Sequence, residues 1–361
     1  MEFDINQKQL EERNQKIIDA VLQKEKKLCP GSIALIGIYG SFATGDVHAK
    51  SDLDLLILIN DDRGWQLSSC FIQDDLNVGH DIYCTNWDSL KNDAEYNHPN
   101  IGKLMDSKIV YCSDEKYRRE LESLRDGVRG KLNKQLSNDD FEKAESSLKE
   151  AQSFFARAVT STSLPECRKY SGATVIVLEN SLAMLNKTYF KKSSKRIYEE
   201  LFEFKKKPDG LCDMIEAVIS AGRIEDIKSA LCTLMEKCIA TFDEAKKTLT
   251  SEKQKAADVL PGAYEEMFSN WRNKMHLAAA TGNRHLAFTS LVNFTGMAEE
   301  LYGMTDIALY DGLEAYNPDD LNETAVRFDA LLDSFLQEYE KAGIKTKRYP
   351  DIDAFSEDYL K

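Results

Sequence analysis

Three short apolar runs, all within the first 112 residues, constrain this chain most. They are Ile33 to Tyr39, Leu53 to Ile59 and Val78 to Cys84, and each is short, β-rich and bounded by turn residues. Lys108 to Cys112 reads as a fourth, edge strand. From about residue 116 onward the apolar spacing is almost wholly helical, over 115–135, 138–163, 170–190, 193–205, 223–249, 263–281, 284–303 and 321–343. The apolar run Ala173 to Leu178 fits either state, but its flanks keep helical spacing and make it a buried helix. A chain with strands only at its head folds as a small sheet flanked by helices, followed by a helical remainder. The expected organisation is therefore an α+β domain over 1–115, an all-α helical bundle over 116–345 and a polar tail over 346–361. Gln7 to Leu28 is an amphipathic helix ended by Pro30-Gly31, Asp61 to Leu76 reads as a helix, and Asn86 to Tyr96 as a short one.

Charge narrows the range of partners. The chain has 361 residues, with 47 Lys+Arg against 61 Asp+Glu, a net charge of −14. That balance argues against a DNA or general nucleic-acid binder and against an anionic membrane surface. It suits a cationic partner, or simply solubility. No apolar run reaches the length of a membrane span, and the first residues are polar rather than signal-like. The eight cysteines form no CxxC and sit beside no histidine at zinc-ligand spacing. They read as reduced thiols, and the expected location is the cytoplasm.

The chemistry is concentrated in Gly40-Ser41-Phe42-Ala43-Thr44-Gly45 and Ser51-Asp52-Leu53-Asp54-Leu55. A strand delivers the chain to Gly40, where a backbone without Cβ can approach a phosphate. The turn amides and the Ser41 hydroxyl can donate to it. Asp52 and Asp54 are two apart, so on a strand they share a face while Leu53 and Leu55 face a core. Two carboxylates on one face repel unless a cation lies between them, and Mg²⁺ takes carboxylates together with substrate phosphates. Asp81, a lone acid in the third strand, adds a third carboxylate, expected on a strand next to that of Asp54. Three acids around one point suit two metal ions on the attacking and leaving oxygens of a phosphoryl transfer.

The pattern GSFATG followed by SDLDLLI, with the later strand aspartate, resembles the nucleotidyltransferase fold shared by DNA polymerase beta and the antibiotic nucleotidyltransferases. The resemblance covers roughly residues 30–112. It implies a small mixed sheet with flanking helices, an NTP donor (ATP foremost), two Mg²⁺ ions, and transfer of a nucleoside monophosphate with release of pyrophosphate. It implies that Gly40 and Ser41 hold the triphosphate, that Asp52 and Asp54 bind both metals, and that Asp81 binds the catalytic metal and activates the acceptor. The stretch from Glu179 to Phe190, with Ser194-Lys195-Arg196, resembles the helical domain of lincosamide- and aminoglycoside-type bacterial nucleotidyltransferases. There the small substrate lies between two domains, often with a dimer partner nearby, so the resemblance leaves a homodimer open as one option.

Three acids stand as general base: Glu179, which interrupts an apolar helix face, Glu95, and Asp81 itself. Lys187, Lys191, Lys192, Lys195 and Arg196 form a basic cluster, of which Lys195 and Arg196 are the candidates for the triphosphate. Against those roles stands a solvated helix end. Arg272 and His276 share a helix face beside Trp271 and suit a substrate contact or an ordinary half-buried helix. His80 points to the strand face opposite Asp81 and reads as core; neither it nor His48 is given a role. Three readings follow: transfer to a hydroxyl of an aminoglycoside- or lincosamide-like molecule, as in antibiotic resistance; modification of a protein, as in toxin–antitoxin AMPylation; or nucleotide binding without catalysis.

Overall fold

The computed structural model describes residues 7–192, 194–249 and 253–361. The chain divides into two compact units, residues 1–250 and 251–361. No helix among the described residues is long and apolar enough to cross a membrane.

The first unit opens with helix α1 (Gln7–Leu28), then strand β1 (Ile33–Tyr39), one turn of helix α2 (Ser41–Thr44) and strand β2 (Asp54–Ile59). A hairpin, β3 (Ser69–Gln73) and β4 (Val78–Ile82), precedes a short strand β5 (Cys84–Asn86), helices α3 (Trp87–Ala94) and α4 (Gly102–Met105), and strand β6 (Lys108–Cys112). The main sheet has the order β5-β2-β1-β6. β1 runs antiparallel to β2 and β6, while β2 and β5 are parallel, so the sheet is mixed. Both faces are covered, which is why the strands read as continuous apolar runs. Leu35, Leu56 and Leu58 point into one core; Ile36, Leu55, Ile57 and Ile59 point into another, closed by Ile18 and Val21 of α1.

Six further helices belong to the same unit: α5 (Glu115–Leu132), α6 (Asn138–Thr160), α7 (Leu164–Leu185), α8 (Ile197–Glu203), α9 (Leu211–Ser220) and α10 (Ile224–Lys247). Their buried faces form one continuous apolar cluster with Leu35, Leu56 and Leu58 of the sheet. The expected boundary after residue 115 therefore does not coincide with the division into units. Leu121 and Val128 of α5 are fully buried in the cluster that the sheet side chains begin.

Two local expectations are corrected. Asp61 to Leu76 is not a helix. Asp61 caps a single 3-10 segment, Asp62–Leu67, and the chain then pairs β3 against β4 around a tight turn. Asn77 closes that turn with φ 51°, a conformation asparagine tolerates better than most residues. The run Val78 to Cys84 is likewise two strands broken at Tyr83, so Asp81 pairs with Cys70 of β3, and it is β5 that lies beside β2.

The second unit is helical: α11 (Ala256–Val259), α12 (Arg272–Thr281), α13 (Arg284–Met304), α14 (Leu321–Lys341) and α15 (Ile352–Tyr359). Its core joins Met267, Trp271, Phe294, Phe328, Phe335 and Tyr339. In the stretch expected as a polar tail, Asp351 caps α15 by accepting from the Ala354 amide, and no residue of that helix is buried.

Arg125 of α5 is the polar rivet between helix and sheet. Its side chain is 8% exposed, donates from Nε to the Leu104 carbonyl at 2.8 Å, and from Nη2 to the Ser107 carbonyl at 2.7 Å and the Ser107 hydroxyl at 3.0 Å. Arg125→Ala strands two inward-facing carbonyls, and a buried polar group left unpaired costs about 1–3 kcal/mol. The expected outcome is a lower urea midpoint for the first unit with no change in the second. Tryptophan fluorescence reads the two separately when followed in a Trp271→Phe chain, which keeps Trp65 and Trp87, and in a Trp65→Phe/Trp87→Phe chain, which keeps Trp271.

Candidate active site

The site begins where β1 ends. Tyr39, its last residue, is the register partner of Asp54, the first residue of β2. The next residue, Gly40, has φ 64° and ψ −145°, a region almost reserved for glycine. A Cβ built there would stand 1.8 Å from Asp54 Oδ2, so the carboxylate lies directly over the glycine backbone. α2 then makes one turn and ends at Gly45 with φ 81°. Inside it the Ser41 hydroxyl is buried without a hydrogen-bond partner.

Asp52 precedes β2 and is exposed, Leu53 is buried, and Asp54 is half-buried, the alternation the spacing predicts. Asp81 is exposed on β4, and its neighbour His80 is 3% exposed on the opposite face. Burial, and next the negative charge of Asp52, push the Asp54 carboxyl up to about 6. The Tyr39 hydroxyl reports on all three acids. Its pKa is pushed up to about 12 by burial, then by Asp54, Asp81 and Asp52 in turn. The charges of all three carboxylates are thus felt at the Tyr39 hydroxyl, at the open end of β1, and Asp54 is the one packed against the turn.

Among the described residues, no group of three or more His, Cys, Asp or Glu side chains is arranged as a ready metal cage. A hard cation such as Mg²⁺ does not require one, because it is commonly held by one or two carboxylates together with substrate phosphates and water. The residues present fit such an ion. Burial and the charge of Asp52 hold the Asp54 proton on, and an orphaned hydroxyl lies beside Gly40.

The other candidates fall in several places. Lys195 donates to the Asp46 carbonyl at 2.8 Å, and Arg196 bonds Asp46 Oδ1 at 3.0 Å and Glu199 as well. Asp46 also accepts from Thr44 of α2 at 2.8 Å. Both cations therefore reach the loop after Ser41 and are engaged with it. Lys187 pairs with Asp140, and Lys192 with Glu199 at 2.7 Å. Glu95 pairs with Lys131 at 2.9 Å, which holds its carboxyl below the ordinary range. Glu179, on α7, forms no hydrogen bond or ion pair among the described residues. Burial alone pushes it up to about 7, and its charge acts on Tyr198 of α8 and Cys212 of α9. Arg272 and His276 both contact Asp329 in the second unit, at 2.8 and 3.0 Å, and Trp271 is in its core. His48 Nδ1 accepts from the Lys50 amide at 3.1 Å.

Two functional candidates went unnoticed in the sequence. A cavity of about 380 Å³ opens beside Gly40, lined by Tyr39, Thr44, Lys103, Asp106 and Lys191 among others. Asp106 accepts from the Tyr189 hydroxyl at 2.8 Å on Oδ1, while Oδ2 is buried and unpartnered. Its position after α4 carries no periodic signal. Arg13 bonds the Ser51 carbonyl, as taken up below. Its signal was present: it lies three residues after Leu10 and four before Ile17, on the apolar face of α1.

Residues 15–139 match the family model described as the nucleotidyltransferase domain. The N-terminal part of the chain is a nucleotidyltransferase domain. The matched stretch contains the Gly40-Ser41 turn, Asp52, Asp54 and Asp81. A solved structure, that of a nucleotidyltransferase-like protein from Exiguobacterium sibiricum 255-15, is similar with a TM-score of 0.33 and 10% identity, covering 62% of this chain and 75% of that one. No curated protein matches the chain.

Two outcomes follow from this geometry. Gly40→Ala must adopt a backbone worth about 1–3 kcal/mol of strain and must displace Asp54, so its unfolding midpoint falls by at least that equivalent. A Gly40→Ala chain as stable as the parent would contradict the close approach. Glu179 has a folded pKa above its unfolded value, so the folded state binds the extra proton. Its stabilising contribution is full below about 4.5 and is lost as pH rises through about 7. Glu179→Gln should therefore melt near the parent at pH 5 and above it at pH 8, by roughly 1–3 kcal/mol in stability. Thermal melts at the two pH values measure the crossing.

Proposed function

We propose that the chain transfers a nucleoside monophosphate from an NTP to a hydroxyl of a small molecule, releasing pyrophosphate. The observation that supports this reading is the packing of Asp54 over Gly40 at the open end of β1, inside the matched domain. ATP is the donor we put first.

Asp52 and Asp54 would hold two Mg²⁺ ions, with Asp81 on the catalytic one. Bound Mg²⁺ supplies positive charge to the triphosphate and to the leaving pyrophosphate. The chain's own residues do the rest. The Ser41 hydroxyl, without a hydrogen-bond partner, donates to a phosphate oxygen, and the Gly40 backbone makes room for the Asp54 carboxylate beside it. Lys195 and Arg196 act through Asp46, fixing the loop that follows Ser41. The acceptor oxygen forms its bond to the α-phosphorus as the bond to pyrophosphate breaks, and the hydroxyl proton passes to a carboxylate. Asp81 is one candidate for that role, its charge acting with those of Asp54 and Asp52 on the Tyr39 hydroxyl. Glu179 has the pKa for it, being half ionised near neutral pH.

The cavity beside Gly40 favours a small acceptor. Its volume of about 380 Å³ lies within the range of small-molecule sites, and Asp106 offers an acceptor atom to a hydroxyl or ammonium donor. An aminoglycoside- or lincosamide-like molecule has such groups, and the net charge of −14 concentrates cationic acceptors.

The test is Mg²⁺-dependent pyrophosphate release from each of the four NTPs with aminoglycosides, lincosamides and protein acceptors. The expected outcome is release with a small acceptor, lowered by about 100-fold or more in Asp52→Asn and Asp54→Asn while both remain folded. Release only with a protein acceptor would replace the small molecule. Binding of NTP without release from any acceptor would support nucleotide binding without catalysis.

A further inference from the structure

Arg13 of α1 lies two residues before the matched domain, and its contacts lead into the site. Its Nη2 donates to the Ser51 carbonyl at 2.8 Å, and Nε and Nη2 both donate to the neighbouring Asn14 Oδ1, at 3.1 and 2.9 Å. Asn14 is 5% exposed, so this fork is held from behind by a buried amide. The carbonyl that Arg13 grips belongs to the peptide joining Ser51 to Asp52. Ser51 is itself 3% exposed and tied back to His48 twice, its amide to the His48 carbonyl at 2.8 Å and its hydroxyl accepting from the His48 amide at 2.9 Å. The guanidinium also lies 6.0 Å from the centre of the Phe42 ring, in α2, within cation–π range. One side chain thus touches both halves of the site, the turn after Gly40 and the approach to Asp52. Its remaining donor, Nη1, is buried with no partner, and the charge of Asp52 acts on the guanidinium.

We infer that Arg13 is a positioning residue, which fixes the Ser51–Asp52 peptide relative to the Phe42 turn so that Asp52 is set for a metal-bound nucleotide. This rests on the proposed function. A planar guanidinium can bond two acceptors at fixed angles, whereas an ammonium acts as a point charge. A group that orients a metal ligand without touching the metal commonly changes metal affinity about 10–100-fold when removed. Arg13 should therefore govern how much Mg²⁺ the site needs, more than how stable the fold is.

The experiment compares the full-length parent, Arg13→Gln and Arg13→Lys. Calorimetry follows binding of the α,β-methylene analogues of the four NTPs across a Mg²⁺ series, and hydrogen–deuterium exchange follows residues 40–54. In Arg13→Gln the Mg²⁺ concentration for half-maximal nucleotide binding should rise about 10–100-fold, with binding at saturating Mg²⁺ changed by less than about twofold. Exchange should quicken across 40–54 and stay unchanged across 84–94. Arg13→Lys, keeping the charge but losing the fork, should resemble Arg13→Gln. Parent-like Mg²⁺ dependence in Arg13→Gln overturns the inference, as does full rescue by lysine. Exchange that quickens equally throughout the first unit also overturns it, showing a merely structural role. A parent that binds none of the analogues with Mg²⁺ overturns the proposed function, and the inference with it; a parent that binds while the variants bind alike overturns the inference alone.

Discussion

The packing of one carboxylate over one glycine is the constraint on which the site depends. Tyr39 and Asp54 are register partners, so the side chain opening β2 falls beside the residue that leaves β1. With φ 64°, Gly40 turns the chain sharply out of the sheet and leaves Asp54 Oδ2 in the space where a Cβ would be. The turn after β1 and the Asp54 carboxylate are consequently one object. Neither can move without the other, because both hang on the hydrogen bonds of β1 with β2. The pairing is held in turn by apolar side chains buried on both sheet faces, each contributing about 1.5–3 kcal/mol.

That rigidity brings an electrostatic cost. Asp54 is pushed up to about 6 by burial and by Asp52, and Tyr39 up to about 12 by burial and three nearby acids. Such an arrangement opposes the ionisation of Asp54, and positive charge placed beside it would relieve it. Active sites often hold groups in just this unfavourable state, since a ligand of opposite charge then binds where the field is already set. The nearby cations are engaged with hydrogen-bond partners other than these acids. Lys195 and Arg196 are committed to Asp46, and Arg13 is committed to a backbone carbonyl.

Much of the fold was legible in the sequence, and the candidates for the site were marked there by their residue types. Gly40, Ser41, Asp52, Asp54 and Asp81 stand out because strand geometry has a period of two and because acids and glycine are costly inside apolar runs. The small mixed sheet and the long helices were legible for the same reason of periodicity. The β3–β4 hairpin was not, since Ser69–Gln73 is exposed at every residue but the last and lacks the alternation that marks a strand. Nor was the extent of the first unit. A helix face that packs on a sheet has the same pattern as one that packs on another helix, so nothing in the spacing of Leu121 and Val128 says that they meet the core begun by Leu35. Asp106 was silent because its role depends on Tyr189, 83 residues away in the chain.

The shared core also explains what the basic cluster after Phe190 is for. Asp46 accepts from Thr44 within the turn and from Arg196 at the start of α8, and Lys195 holds the Asp46 carbonyl. Arg196 is further fixed by Glu199, one turn into the same helix. The loop following Ser41 is therefore pinned at one end by the sheet, through Gly40 and Asp54, and at the other by a helix some 150 residues later. A loop of small and polar residues such as Gly45 to Ser51 would otherwise sample many conformations, and ordering each residue costs about 1–2 kcal/mol of backbone entropy. Because α8 belongs to the same core as the sheet, that cost is met on folding rather than on binding. The helical half of the first unit thus acts on the site without supplying any of the three acids.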